Sequence, residues 1–185
     1  MKTLVINSAE PEVTDFTDPL ITLCREMGLS YQLSQWRDLA GSQDIGSWHA
    51  VIISASPMGN NANFEERLHA FRWLKNTQNK VFGICAGHQL LGCSFGSKLI
   101  QNKESERGMH KVRIHTFDPV FQNTENEIEV LQQHHDSITL PDDFNLLARS
   151  DRCRIQAMKH KERPLYSVQW HAEISTLKII SNFLK

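Results

Sequence analysis

Val81-Phe82-Gly83-Ile84-Cys85-Ala86-Gly87-His88-Gln89-Leu90-Leu91-Gly92 is the stretch around which the rest of this chain arranges itself. A short apolar run, Val81, Phe82 and Ile84, leads straight into Cys85. A small residue, a glycine and a helix-like pattern from Gln89 to Phe95 follow. The spacing predicts strand, sharp turn and helix, with a thiol at the apex. Unsatisfied backbone N–H groups and the dipole at a helix amino end favour negative charge, so a sulfur placed there is held towards its thiolate form. Gly83 and Gly87 fit beside it, because a tight turn needs either positive φ or close backbone approach.

A second segment gives that thiol partners. Leu165-Tyr166-Ser167-Val168-Gln169-Trp170 reads as a strand and is followed by His171-Ala172-Glu173. On an extended chain side chains at i and i+2 share a face, so His171 and Glu173 are expected together. A cysteine nucleophile needs a base to take and return its proton, and the base needs an acceptor that fixes its tautomer. Cys85, His171 and Glu173 offer those three groups if the fold joins the segments.

Working outward, Thr3–Ile6 reads as the first strand. A helix from Asp15 or Thr17 follows, with Pro19 in its first turn, Gly28 after its last, and Leu20, Leu23, Cys24 and Met27 on one face. Tyr31–Trp36 and Trp48–Ser54 read as strands. Asn63 with Glu66 forms a capping-box pattern opening a helix that carries Phe64, Leu68, Phe71 and Leu74. Lys80–Ile84 delivers Cys85. This alternation predicts a doubly wound, mostly parallel α/β sheet, in which ligands gather at the carboxyl ends of strands. From about 98 to 163 the texture changes to short β-like runs, Lys98–Gln101, Lys111–Thr116, Ile128–Gln132, Asn145–Ala148 and Arg154–Lys159. These predict an added antiparallel region. Ile174–Leu184 reads as one closing helix, with Ile174, Leu177, Ile180, Phe183 and Leu184 on its apolar face. No repeat or linker interrupts residues 1–185, so one domain is expected.

Composition narrows the class. The chain has 185 residues, 40% of them hydrophobic and 22% charged, as in ordinary globular proteins. A net charge of -1 argues against a surface that tracks nucleic-acid phosphates. Cys24, Cys85, Cys93 and Cys153 show no paired metal-type spacing, which suits a reducing compartment. No run reaches the roughly 18 apolar residues of a membrane span, and the first strand turns polar too soon for a signal peptide. The expectation is therefore a cytoplasmic protein with no membrane partner. Gly92–Lys98 lacks the register of a phosphate loop, no dinucleotide fingerprint is present, and no cofactor is expected.

Gly83-Ile84-Cys85-Ala86-Gly87-His88-Gln89 followed far downstream by His171-Ala172-Glu173 resembles the class I (triad) glutamine amidotransferases. The resemblance implies a flavodoxin-like fold and hydrolysis of the glutamine side-chain amide, with ammonia passed to a synthetase. It makes Cys85 the nucleophile, His171 the base and acid, Glu173 the orienting carboxylate and Gln89 a substrate contact. The Ala86 amide is a natural oxyanion donor. The second donor is expected in Ser54-Ala55-Ser56-Pro57-Met58-Gly59-Asn60, at Ser56. The family usually has glycine beside that proline, and commonly has proline where Ala172 stands. Gln132-Gln133-His134-His135-Asp136-Ser137 invites a metal reading, but adjacent residues of an extended chain point to opposite faces, so His134 and His135 are poor joint ligands and no metal is expected. The resemblance instead implies that His134, His135 and Asp136 line the substrate pocket. His88 is expected behind the site, and His110, His115 and His160 on the surface. The chain lacks space and motif for an ammonia acceptor, so a partner protein supplies one, or the chain works alone as a γ-glutamyl hydrolase or peptidase. A non-catalytic relative of the same fold is the third reading.

Overall fold

The computed structural model describes residues 1–41, 45–57 and 63–185. The first half of the chain alternates as its pattern predicts: β1 (Lys2–Asn7), α1 (Asp18–Glu26), β2 (Ser30–Gln35), β3 (Ala50–Ile53), α2 (Phe64–Ala70), β4 (Lys80–Ile84) and α3 (Ala86–Ser94). The second half is β5 (Leu99–Ile100), β6 (Glu106–Ile114), β7 (Glu127–His134), β8 (Ser137–Ile138), β9 (Phe144–Arg149), β10 (Ala157–His160), β11 (Leu165–Val168), α4 (Ala172–Ser175) and α5 (Leu177–Leu184). Among these residues nine strands form one sheet in the order β2-β1-β3-β4-β11-β10-β9-β6-β7. From β2 to β11 neighbouring strands are parallel, in the flavodoxin-like order. From β11 to β7 they are antiparallel. The added strands therefore extend the same sheet, and only β5 and β8 pair apart from it.

Period-two alternation divides the core into two layers. Val5, Ala50, Ile52, Phe82 and Ile84 face α1 and α5 through Leu20, Leu23, Ile180 and Phe183. Leu4, Ile6, Val51, Ile53 and Val81 face the other way, onto Phe71, Trp73, Leu74, Leu90 and Leu91. Strands buried on both faces read as continuous apolar runs, which is why Ala50–Ile53 contains no polar residue. The Phe82 and Phe183 rings, 5.2 Å apart, lock α5 onto β4.

Four local expectations fail. Asn63 makes no side-chain cap, because its φ of 59° places it in the left-handed region and not in the extended conformation a capping box requires. The helix it opens yields after Ala70 to a 3-10 turn at Arg72–Lys75. The closing helix is broken at Thr176 (φ -145°), whose hydroxyl accepts from the Trp170 indole N–H at 2.8 Å. The break turns Ile174 outward, leaving it 53% exposed, while Ile180, Phe183 and Leu184 stay buried. His160 is buried, not superficial: its ring meets Phe95 and Phe144 edge to face, and its Nδ1 accepts from the Glu162 and Arg163 amides.

Candidate active site

β4 ends at Ile84 and α3 begins at Ala86, so Cys85 alone makes the turn between them. Its backbone carries φ 50° and ψ -99°, a conformation that costs a non-glycine residue roughly 1–3 kcal/mol. Hydrogen bonds on both sides hold it there. The Cys85 amide donates to Val168 O on β11 at 2.9 Å, and the Gln89 amide donates to Cys85 O at 3.1 Å. Of the two reasons offered for Gly83 and Gly87, only close approach applies, since neither has positive φ. A Cβ on Gly83 would stand 2.5 Å from Gly87 O, and one on Gly87 would stand 2.6 Å from Ile53 O. The helix thus starts directly against β3 and β4, with its amino end at the sulfur.

His171 and Glu173 meet as anticipated, by a different route. β11 stops at Val168, and His171 caps α4, whose first turn carries Glu173. His171 Nδ1 lies 2.7 Å from Glu173 Oε1, and both side chains are almost fully buried. The carboxylate accepts from Nδ1–H, leaving Nε2 for the sulfur. Nε2 is buried and has no hydrogen-bond partner among the described residues. Phe16 packs over the imidazole at 5.4 Å, and the His171 amide donates to Leu131 O on β7. Burial pushes the His171 pKa down, but contact with Cys85 and then with Glu173 outweighs it, and the pKa is pushed up to about 10. The arrangement favours a positively charged ring beside the sulfur.

A cavity of about 530 Å3 opens at Cys85. Ser56, Pro57, Ala86 and Gln89 form one wall, and Glu106, Arg107, His110, Arg152 and the segment Gln133–Asp136 form the other. All the site residues expected from sequence except His171 and Glu173 therefore line it; those two lie behind the sulfur. Ser56 has no positive φ, so serine is tolerated where the family pattern has glycine. Met58, Gly59 and Asn60, the rest of that turn, fall outside the described residues. His134 is buried and His135 exposed, as opposite faces require. Gln89 turns its amide into the wall: Nε2 donates to Asp136 O at 2.8 Å and to Gln169 Oε1 at 3.4 Å. The Asp136 carboxylate accepts the Asn102 amide at 3.0 Å. Behind the site, His88 is fully buried with Nδ1 2.8 Å from Ser167 Oγ, and burial pushes its pKa down to about 3.

Sequence reading missed Glu106, Arg107, His110 and Arg152 on the far wall, because they reach it only through the pairing of added strands. His110 is part of that wall, with Nδ1 3.6 Å from Glu106 Oε1, and not simply a surface residue. The buried Glu106 accepts from Ser150 Oγ at 2.7 Å and Gln156 Nε2 at 2.6 Å, and faces His134 Nε2 at 3.3 Å. Burial pushes its pKa up, yet the partners His134 and Ser150 hold it below the ordinary range. Glu106, His134 and Cys153 bring donor atoms within 4.8 Å of one another, a mixed set that no spacing in the sequence announced. Gln169 was also missed as a site residue, although it alternates with His171 on the same run.

Residues 13–184 match the family model described as glutamine amidotransferase class-I. A glutamine-hydrolysing GMP synthase subunit of Pyrococcus abyssi is 34% identical, over 73% of this chain and 73% of that protein. The corresponding protein of Methanocaldococcus jannaschii is 31% identical over 73% and 72%. A GMP synthase subunit protein from Thermoplasma acidophilum superposes with a TM-score of 0.86 at 26% identity, covering all of this chain and 92% of that one. A glutamine amidotransferase from Thermotoga maritima shares the fold, with a TM-score of 0.78 at 17% identity over all of this chain and 80% of that one.

Proposed function

The chain belongs to the class I glutamine amidotransferases, and from that premise we propose that it hydrolyses the glutamine side-chain amide through Cys85, His171 and Glu173 and delivers the ammonia to a synthetase partner. The Cys85 sulfur attacks the amide carbon. The oxyanion forms against the backbone N–H groups of Ala86 and Ser56. His171, charged and held by Glu173, gives its proton to the departing ammonia and leaves a glutamyl thioester on Cys85. Water, deprotonated by His171, then attacks the thioester; the second oxyanion collapses, glutamate leaves and the thiolate returns. Gln89, His134, His135 and Asp136 shape the pocket for the amino-acid end of the substrate.

The observation that carries this reading is the union, in one buried site, of a thiol on a strained strand-to-helix turn with a 2.7 Å His171–Glu173 pair. The relatives, named as one subunit of a glutamine-hydrolysing GMP synthase, support the reading of a synthetase partner. The test is ammonia release by the purified chain offered glutamine beside a panel of γ-glutamyl amides and peptides, with Cys85→Ser as control. Cys85-dependent release from glutamine, rising when the synthetase is added, is the expected result. Fast turnover of γ-glutamyl peptides with little on glutamine would overturn it in favour of a hydrolase acting alone. Absence of turnover with the synthetase present would overturn it in favour of a non-catalytic relative.

A further inference from the structure

We propose that Gln169 holds the Cys85 sulfur as a thiolate by donating a side-chain N–H to it, and that Gln89 sets the orientation of this donor. Gln169 is completely buried, and its Nε2 lies 3.7 Å from Cys85 Sγ. A glutamine amide is useful there only if its NH2 faces the sulfur, and the surrounding network dictates that orientation. Asp136 O is a carbonyl and accepts only. Gln89 must therefore present its NH2 to it, at 2.8 Å. The same NH2 reaches Gln169 at 3.4 Å, so Gln169 must answer with Oε1, which leaves its own NH2 for Sγ. The backbone is anchored as well, because the Gln169 amide donates to Gln156 O at 2.8 Å. A donor preset in a buried site favours the charged form of the atom it faces. Gln169 thus supplies a neutral, fixed dipole to the sulfur, while His171 supplies the counter-charge.

The inference rests on Cys85 being the nucleophile, but its test needs neither glutamine nor turnover. The full chain is alkylated with iodoacetamide across pH 5–10, and modification of Cys85 is followed by peptide mass, apart from Cys24, Cys93 and Cys153. Gln169→Glu keeps the shape and the acceptor for Gln89 but replaces the donor with a carboxylate oxygen. Its alkylation midpoint is expected to rise by about one pH unit, with about tenfold slower modification below the midpoint. Gln169→Met removes donor and acceptor and is expected to shift the midpoint in the same direction by less. It also carries the test if the glutamate variant fails to fold, as judged by circular dichroism. A residue that merely packed would alter thermal stability or scale the rate equally at every pH. A wild-type midpoint in either folded variant would overturn the proposal. Loss of ammonia release without a midpoint shift would likewise overturn it and leave the glutaminase reading intact.

Discussion

Replacing His88 by asparagine should remove a large part of the protein's sensitivity to acid. The ring is wholly buried beneath the Cys85 turn, and its pKa falls from 6.5 to about 3, chiefly through burial and then through the charge of His134. Between those values the unfolded chain binds a proton at this position and the folded chain does not. Stability from this group is therefore fully present above pH 6.5 and lost as pH falls towards 3. Each pH unit in that window is worth about 1.4 kcal/mol, so acidification from pH 6.5 to 5 costs about 2 kcal/mol. The full window of three and a half units amounts to roughly 5 kcal/mol, comparable with the whole stability of many domains. Urea unfolding followed by tryptophan fluorescence measures this directly, since Trp36, Trp73 and Trp170 are buried. Asparagine retains a polar atom near the Nδ1 position for Ser167 and does not titrate. Subtracting its stability from that of the wild type at each pH cancels the other titrating groups. The difference should move by about 2 kcal/mol between pH 7.5 and 5 in the direction of wild-type loss. Parallel curves, constant to within about 0.5 kcal/mol, would refute the argument that a neutral buried imidazole supports this turn.

Gly87→Ala should destabilise the fold by about 1–3 kcal/mol, because its Cβ would meet Ile53 O and the helix start would have to lift from β3; equilibrium urea unfolding checks this. Cys85→Gly and Cys85→Ala should both abolish ammonia release, yet the glycine variant should be the more stable by about 1 kcal/mol, since only it relieves the positive φ. Equal stabilities would show that the turn is not strained. Glu173→Gln keeps the shape of the pair but removes its charge. It should lower kcat for glutamine by on the order of a thousandfold with little change in KM, and a KM effect alone would show that Glu173 serves binding.

Much of this site was legible along the chain. The apolar run Val81–Ile84 and the small residues after Cys85 announce strand, turn and helix because backbone sterics and side-chain period act locally. The His171 and Glu173 pair met for a reason the extended spacing did not foresee: His171 caps α4 with a non-helical backbone, which lets its ring meet Glu173 in the first turn, whereas residues two apart inside a helix do not face each other. Local patterns misled where distant contacts decide. Asn63 and Glu66 carry the letters of a capping box, but the backbone enters α2 left-handed. Ile174 has the spacing of the closing helix, but Thr176 interrupts it in favour of Trp170.

What the sequence by itself determined is the alternation of elements, the two-layered core and the identity of a thiol, a histidine and a carboxylate in order. Those follow from interactions between residues a few positions apart. Only the tertiary structure decided that β11 lies beside β4, so that Val168 O takes the Cys85 amide and His171 reaches the sulfur from the far end of the chain. It also decided that β6 pairs with β7, bringing Glu106 to His134 in the far wall, and that Gln89 and Gln169 interlock behind the nucleophile. The strand register and the directional hydrogen bonds of buried amides set these contacts, and neither leaves a periodic trace in the sequence.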